Sequence, residues 1–253
     1  MPTLLLTLSG PLQAWGSRSR FSARTTEPAP TKSGVLGLVA AAKGVRRTEE
    51  LTDLAGLRFG VRSDQPGRVI REFQTARSLD GRDSMPLSDR YMLADAVFLA
   101  ALESSDREFL ERLRDHLRSP VFPLSLGRRA LPPAGPIPTE ILEGTIETAF
   151  ETSVWRAGPV ERSRHRESPQ IMLETRIDAA PGEIGEERIR DVPVSFDPER
   201  REHRWREVAV SRVWLSNPDF AGVDDDESGE DDGPALAFPD GAHDVFAAMA
   251  EGA

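Results

Sequence analysis

Arginine forks match pairs of phosphate oxygens and stack flat on bases, and glycine-rich backbone leaves amides free to meet an anion. Both features meet in GPLQAWGSRSRF, residues 10–21, where two glycines bracket Trp15 and Arg18 and Arg20 follow at once. Arg24 and Lys32 extend the run toward PTKSGVLG, and LGRRALP (126–132) repeats the pattern with Gly127, Arg128 and Arg129. Trp15 has two readings, a ring that closes the core beside a strand or a plane on which an unpaired base stacks. A third basic group, ERSRHRE (161–167), reads equally as a phosphate-contacting loop or a solvated one.

Other chemistries are poorly represented. The chain has no cysteine, which removes disulfides, thiolate metal ligands and thiol nucleophiles. TKSG carries the Lys-Ser pair of a nucleotide-hydrolase loop without the glycine loop before it. No GxGxxG opens a helix, and neither HExxH nor any His/Asp grouping has metal-ligand spacing, so no metal and no cofactor are expected. The four histidines, His116, His165, His203 and His243, are scattered among charged neighbours.

Charge is unevenly distributed. The net charge of −10 belongs wholly to residues 221–253, which hold ten Asp/Glu and no Lys/Arg. Within residues 1–47, seven cations (Arg18, Arg20, Arg24, Lys32, Lys43, Arg46 and Arg47) face Glu27 alone. A local cationic excess of this kind is the footprint of a polyanion binder, hidden by the whole-chain average. No apolar run approaches the roughly 20 residues of a membrane span. LLLTL lacks the basic lead-in and cleavage site of a signal peptide, so a cytoplasmic protein with no membrane contact is expected.

The elements that must position these residues follow from periodicity. TLLLTL (3–8) reads as a buried strand, residues 10–30 as a long loop, and a helix starts at Thr31–Ser33 and ends at Gly44. LRFGVRS (57–63) and RVIREFQ (68–74) read as strands joined by DQPG, and 75–90 as a projecting loop. YMLADAVFLAAL (91–102) reads as one strand, REFLERLRDHL as an amphipathic helix capped from Ser104–Asp106, and PVFPLSLGRRALPP as a short strand and turn. Beyond about residue 136, TIETAFE, SVWRA, IMLETRI, DVPVSF and REVAVSRVWL all read as strands. The expected class is α+β: a ferredoxin-like N-terminal domain over 1–134 from which the loop 75–90 projects. A small β-rich C-terminal domain over 135–220 and an acidic tail over 221–253 complete it, the tail being a solvated spacer or a weak RNA mimic.

GPLQAWG, PTKSGVLGLVAAAKG, EFQTAR…DRYMLADAVFLAAL and LGRRALP, in this order and spacing, resemble the CasD family, the Cascade subunits of type I-E CRISPR systems within the RAMP superfamily. The resemblance covers roughly residues 1–215 and does not reach the tail. It implies a non-catalytic subunit that holds the 5′ handle of the CRISPR RNA (crRNA) and caps the backbone formed by the CasC subunits. It also implies contact with the large subunit CasA, target DNA being engaged through the assembled complex. TLLLTL carries no base-stacking aromatics of the kind used by RRM strands, so RNA is expected on loops. The expected RNA-binding residues are Gln13, Trp15, Gly16, Arg18, Arg20 and Arg24 in the first loop and Thr31, Lys32 and Ser33 at the helix start, where partial positive charge favours phosphate. Thr75, Arg77, Arg82 and Arg90 of the loop 75–90, which the resemblance implies is the thumb of an RRM-type (RAMP) domain, and Gly127, Arg128 and Arg129 complete the set.

A cousin branch of this family, in type I-C systems, cuts repeat RNA without metal using a tyrosine, a lysine and a histidine. Such cleavage needs a base for the 2′-hydroxyl and an acid for the leaving oxygen. Here there is one tyrosine, Tyr91, lysines only at 32 and 43, and no Lys-His pair, so no catalytic residue is assigned and the endoribonuclease is the alternative reading.

Overall fold

The apolar run at the start of the chain is buried on both faces. In the computed structural model, which describes residues 1–16, 23–180 and 182–221, it forms β1 (Pro2–Ser9) inside a seven-stranded sheet. Leu4, Leu6 and Leu8 point into the main core, and Leu5 points into a second, smaller one on the other face. Two buried faces explain why the strand is a run of leucine rather than an alternation.

Helix α1 (Lys32–Lys43) begins and ends where its caps dictate. Thr31 Oγ1 accepts from the Gly34 N–H at 3.2 Å, and Gly44, at φ +83°, returns its N–H to the last turn. A short α2 (Thr52–Ala55) follows. Helix α3 (Arg107–Arg118) is capped by Asp106 and buries Leu110, Leu113 and Leu117 in the same core as α1. The strands β4 (Arg58–Gln65), β7 (Val97–Glu103) and β8 (Thr139–Glu143) flank β1, in the order β4-β7-β1-β8. Beyond β4 the same sheet continues through β9 (Gln170–Asp178), β11 (Glu202–Ser216) and β10 (Glu187–Ser195), so β10 is an edge strand. Every pairing in this sheet is antiparallel.

A second sheet is built round β6 (Ser88–Ala94). The strand β5 (Arg68–Gln74) runs antiparallel along one edge, while β2 (Leu12–Gln13) and β3 (Ala23–Arg24) pair along the other. The single strand expected over 91–102 is therefore two strands in different sheets. Asp95, at φ +56°, makes the break and donates its N–H to Pro11 O.

Two more expectations are corrected. TIETAFE is not a strand but α4 (Ile146–Thr152), capped by Thr145, with Ile146, Ala149 and Phe150 buried at helical spacing. SVWRA has no ladder because a buried arginine takes its place. Arg62 Nη1 and Nη2 donate to the carbonyls of Phe150, Ser153 and Val154, while Nε and Nη2 grip the Asp64 carboxylate at 2.7 and 2.8 Å. The stretch 120–134 is likewise irregular, held by single hydrogen bonds such as Leu126 N–H to Leu131 O. A one-and-a-half-turn α5 (Pro159–Arg164) precedes β9. Among the described residues no helix is long and apolar enough to cross a membrane.

Candidate nucleic-acid interface

Three arginines that are remote in sequence meet at the edge of the second sheet. Parallel pairing of β3 with β6 sets Arg24 opposite Arg90. Arg128 arrives from the 124–132 loop, which docks on the first loop through Ala14 N–H to Leu126 O at 3.1 Å. Gly127 makes that docking possible. It sits at φ +89°, and a Cβ there would land on the Ala14 carbonyl oxygen. Arg128 Nη2 then donates to the carbonyls of Arg24 and Thr25 at 2.7 and 3.3 Å.

What these side chains lack is as informative as what they touch. Arg128 Nη1 and Arg90 Nε are both buried with no hydrogen-bond partner among the described residues. Burial, and next the positive charges of Arg90 and Arg24, pull the Arg128 pKa below its ordinary value, while Glu72, which pairs opposite Arg90 in the β5–β6 ladder, opposes them. Buried donors are almost always satisfied, and a converging set of guanidinium groups is satisfied best by a bidentate oxyanion. A phosphate of a nucleic-acid backbone has that form.

A second cationic group lies next to it. Arg129 and Arg201 both act on Arg47, whose pKa is lowered first by burial and then by those two charges. The loops carrying them are gathered round α1: Val45, Leu124 and Phe196 all pack on the main core, and Phe196 lies against Gly37. Sequence reasoning assigned Arg129 and missed Arg47 and Arg201 as site residues. Arg201 carries no local signal, because only the tertiary fold brings the β10–β11 connection to α1.

Several expected contacts belong to the interior instead. The Trp15 ring is fully buried in the main core, edge-on to Gly34, and Nε1 donates to Gln13 Oε1 at 3.0 Å. Gln13 is itself buried and donates to the Leu8 and Ala96 carbonyls. Neither side chain is placed to meet a base, so the core-closing reading of Trp15 holds. The helix start is closed as well. Thr31 is consumed as the cap, Ser33 is buried, the Lys32 N–H donates to Asp191 Oδ2 at 2.7 Å and Lys32 Nζ pairs with Asp178 at 2.7 Å. Arg206 binds Asp191 through Nε and Nη2 and Asp178 through Nη1, which ties the network to β11. The partial charge expected to attract phosphate is thus already met by a carboxylate of this chain.

The remaining residues divide simply. Gly16 is exposed, and Arg18 and Arg20 lie outside the described residues. Thr75, Arg77 and Arg82 are exposed on the loop between β5 and β6, with Leu79, Met85 and Leu87 also open to solvent there and Phe73 exposed near the end of β5. In the third basic group Arg162 is held by Asp219 at 2.5 and 2.7 Å and Arg164 by Glu161 at 3.1 Å, so most of its charge is internally paired. Lys32 is buried, Lys43 sits 5.7 Å over the Phe109 ring, and Tyr91 is half-buried in β6. The described residues hold no group of His, Asp and Glu arranged to bind a metal ion.

Comparison with known proteins points the same way. A family model described as CRISPR-associated protein (Cas_Cas5) matches residues 3–209. The Escherichia coli (strain K12) protein described as CRISPR system Cascade subunit CasD is 32% identical over 154 residues, covering 53% of this chain and 68% of that one. Among solved structures, one described as a crystal structure of a Cas protein superposes with a TM-score of 0.64 at 37% identity, covering 86% of this chain and 97% of the other. A chain of a CRISPR RNA-guided surveillance complex superposes with a TM-score of 0.71 at 28% identity, covering 87% and 93%. A mixed α/β body of mostly antiparallel sheets, matched over nearly its whole described length, places the chain in the CRISPR-associated Cas5 family, alongside CasD.

Proposed function

We propose that this chain is a crRNA-binding subunit of a type I-E Cascade complex, without catalytic function, and that it grips the crRNA 5′ handle by a phosphate seated on Arg24, Arg90 and Arg128. The observation that carries this is the pair of buried, unpartnered guanidinium donors on Arg90 and Arg128 within a cluster of like charge. Kinship with the Escherichia coli Cascade subunit and with a chain of an RNA-guided surveillance complex supports the assembly. In that assembly the chain caps the CasC backbone, abuts CasA, meets target DNA through the complex and works in the cytoplasm. Gly16, Arg18, Arg20, Thr75, Arg77, Arg82, Gly127 and Arg129 belong to the proposed RNA surface. The order β4-β7-β1-β8 with α1 and α3 on one core supports a ferredoxin-like body that extends past 134 to residue 143. Strand β8 completes that body, 75–90 forms its thumb, and β9–β11 make the β-rich part of 135–220 an extension of the same sheet.

Titrating the full chain with RNA bearing the 5′ handle of the cognate repeat tests the reading. Arg128→Ala should weaken binding about tenfold and reduce the salt dependence by about one phosphate contact. Unchanged affinity and slope, or site-specific cleavage of repeat RNA in the absence of metal, would overturn it.

A further inference from the structure

The edge strand β10 and the start of β11 present a surface that the reading above does not use. Antiparallel pairing puts Arg190 opposite Trp205 and Arg188 opposite Glu207, so all four side chains share one face. Trp205 is 50% exposed, an unusual cost for so large an apolar ring. The Arg188 guanidinium lies 5.3 Å from the ring centroid and also reaches Glu207 at 3.4 Å. Arg190 and Arg204 are exposed, and neither joins an ion pair among the described residues; Arg190 Nε donates only to His203 O, at 3.0 Å. On the opposite face, Asp191 and Arg206 fasten these strands to α1, so the exposed face stands on a rigid base.

The same surface connects to the principal site. Arg201, three residues before Arg204, belongs to the group with Arg47 and Arg129, and Arg129 follows Arg128 directly. Cations therefore run from the Arg24–Arg90–Arg128 cluster as far as the connection that leads into β11, at whose start the open tryptophan stands. A flat ring flanked by guanidinium groups and approached along a cationic track has the make-up of a single-strand stacking platform. A protein partner would instead be met by an apolar patch depleted in charge. Charge complementarity thus selects nucleic acid.

We propose that the β10–β11 face is a second RNA-contact surface, on which Trp205 carries an unpaired base and Arg188 and Arg190 hold its flanking phosphates, in single-stranded RNA running on from the Arg24–Arg90–Arg128 cluster. The proposal rests on the crRNA-binding reading and adds a place that reading does not contain. Stacking explains the exposed ring, and the arginine track explains how a strand held at one site reaches the other.

The test is titration of the full chain with an oligouridine long enough to span both surfaces, following intrinsic tryptophan fluorescence and affinity together. Trp15 and Trp155 are buried, which leaves Trp205 and Trp214 as the rings open to quenching. Trp205→Ala should abolish most of the quenching and weaken binding about tenfold. Trp205→Phe should keep most of the affinity, which separates stacking from a folding defect, and Trp214→Ala should leave affinity unchanged. If Trp205→Ala binds as tightly as the parent while Arg90→Ala binds more weakly, the second surface is overturned and the principal site stands. If the parent chain binds neither oligouridine nor handle RNA, both readings fall together.

Discussion

The N-terminus of α1 and the Arg24–Arg90–Arg128 cluster are two cationic places with opposite fates. Each offers N–H donors and positive charge, and each follows a glycine- or proline-rich loop. At the helix start the fold supplies the anion itself: Asp191, 159 residues away, accepts from the Lys32 backbone, and Asp178 takes the Lys32 ammonium. At the cluster Arg90 Nε and Arg128 Nη1 have no partner among the described residues, and both side chains are crowded with Arg24. The first is a structural tie between the two ends of the described chain. The second is an unmet demand, which in a protein interior is costly unless a ligand meets it. What separates the tie from the proposed binding site is therefore whether a carboxylate of the chain already meets the donors.

The largest test of the contrast removes the internal anion. Asp191→Ala strips Arg206 and the Lys32 N–H of a fully buried partner and should cost about 3–5 kcal/mol, read by urea or thermal unfolding. A loss under about 1 kcal/mol would mean that the network is not a tie. Next comes the loop junction. Gly127→Ala forces a side chain into a left-handed backbone and against the Ala14 carbonyl, so about 1–3 kcal/mol should be lost through strain alone. RNA affinity should fall with it, because the loop can no longer deliver Arg128.

Arg128→Ala sharpens the same comparison from the other side. It deletes hydrogen bonds to the Arg24 and Thr25 carbonyls and relieves repulsion from Arg90 and Arg24. Stability should therefore move by no more than about 1 kcal/mol, while RNA affinity drops about tenfold. A variant that loses stability and keeps its RNA would show that Arg128 is another tie.

How much of this was legible in the sequence depends on how local each signal is. The start of α1 within Thr31–Ser33, its end at Gly44, the start of α3 after Ser104–Asp106 and the apolar run of β1 depend on near neighbours and are legible in the sequence. Residues 91–102 look like one strand because both halves are apolar, and only the positive φ at Asp95 shows the change of sheet. TIETAFE was misread although its Ile146, Ala149, Phe150 spacing is helical, since threonine and phenylalanine are also strand formers. In the candidate site, the sequence names cations without showing which are already paired. Arg24, Arg90 and Arg128 were named singly and meet only through β3–β6 pairing, whereas Lys32 looks as available as any of them until Asp178 and Asp191 are in view. Trp15 shows the same limit, because burial is decided by the absence of a side chain at Gly34.

The smallest effect concerns an ion pair between these extremes. Arg58 binds Glu147 through Nη2 at 2.5 Å and Nη1 at 3.1 Å and leans toward Glu103 at 3.4 Å, but the Glu147 side chain is 46% exposed. The hydrogen bond from Arg58 is the main reason that the Glu147 pKa falls to about 2, from an ordinary 4.5. A carboxylate with a depressed folded-state pKa binds fewer protons folded than unfolded between those two values. Its stabilising contribution is complete above about pH 4.5 and is lost as pH falls toward 2. Solvent screening keeps that contribution under about 1 kcal/mol. Urea unfolding of the parent and Glu147→Gln should therefore differ slightly at pH 7, and the difference should shrink on acidification through that window. A gap that stays constant would place the effect of the substitution in packing at the start of α4 rather than in charge. A gap that widens would mean that the exposed pair behaves like the buried Asp191 tie, and exposure would then not be what ranks the cations of this chain.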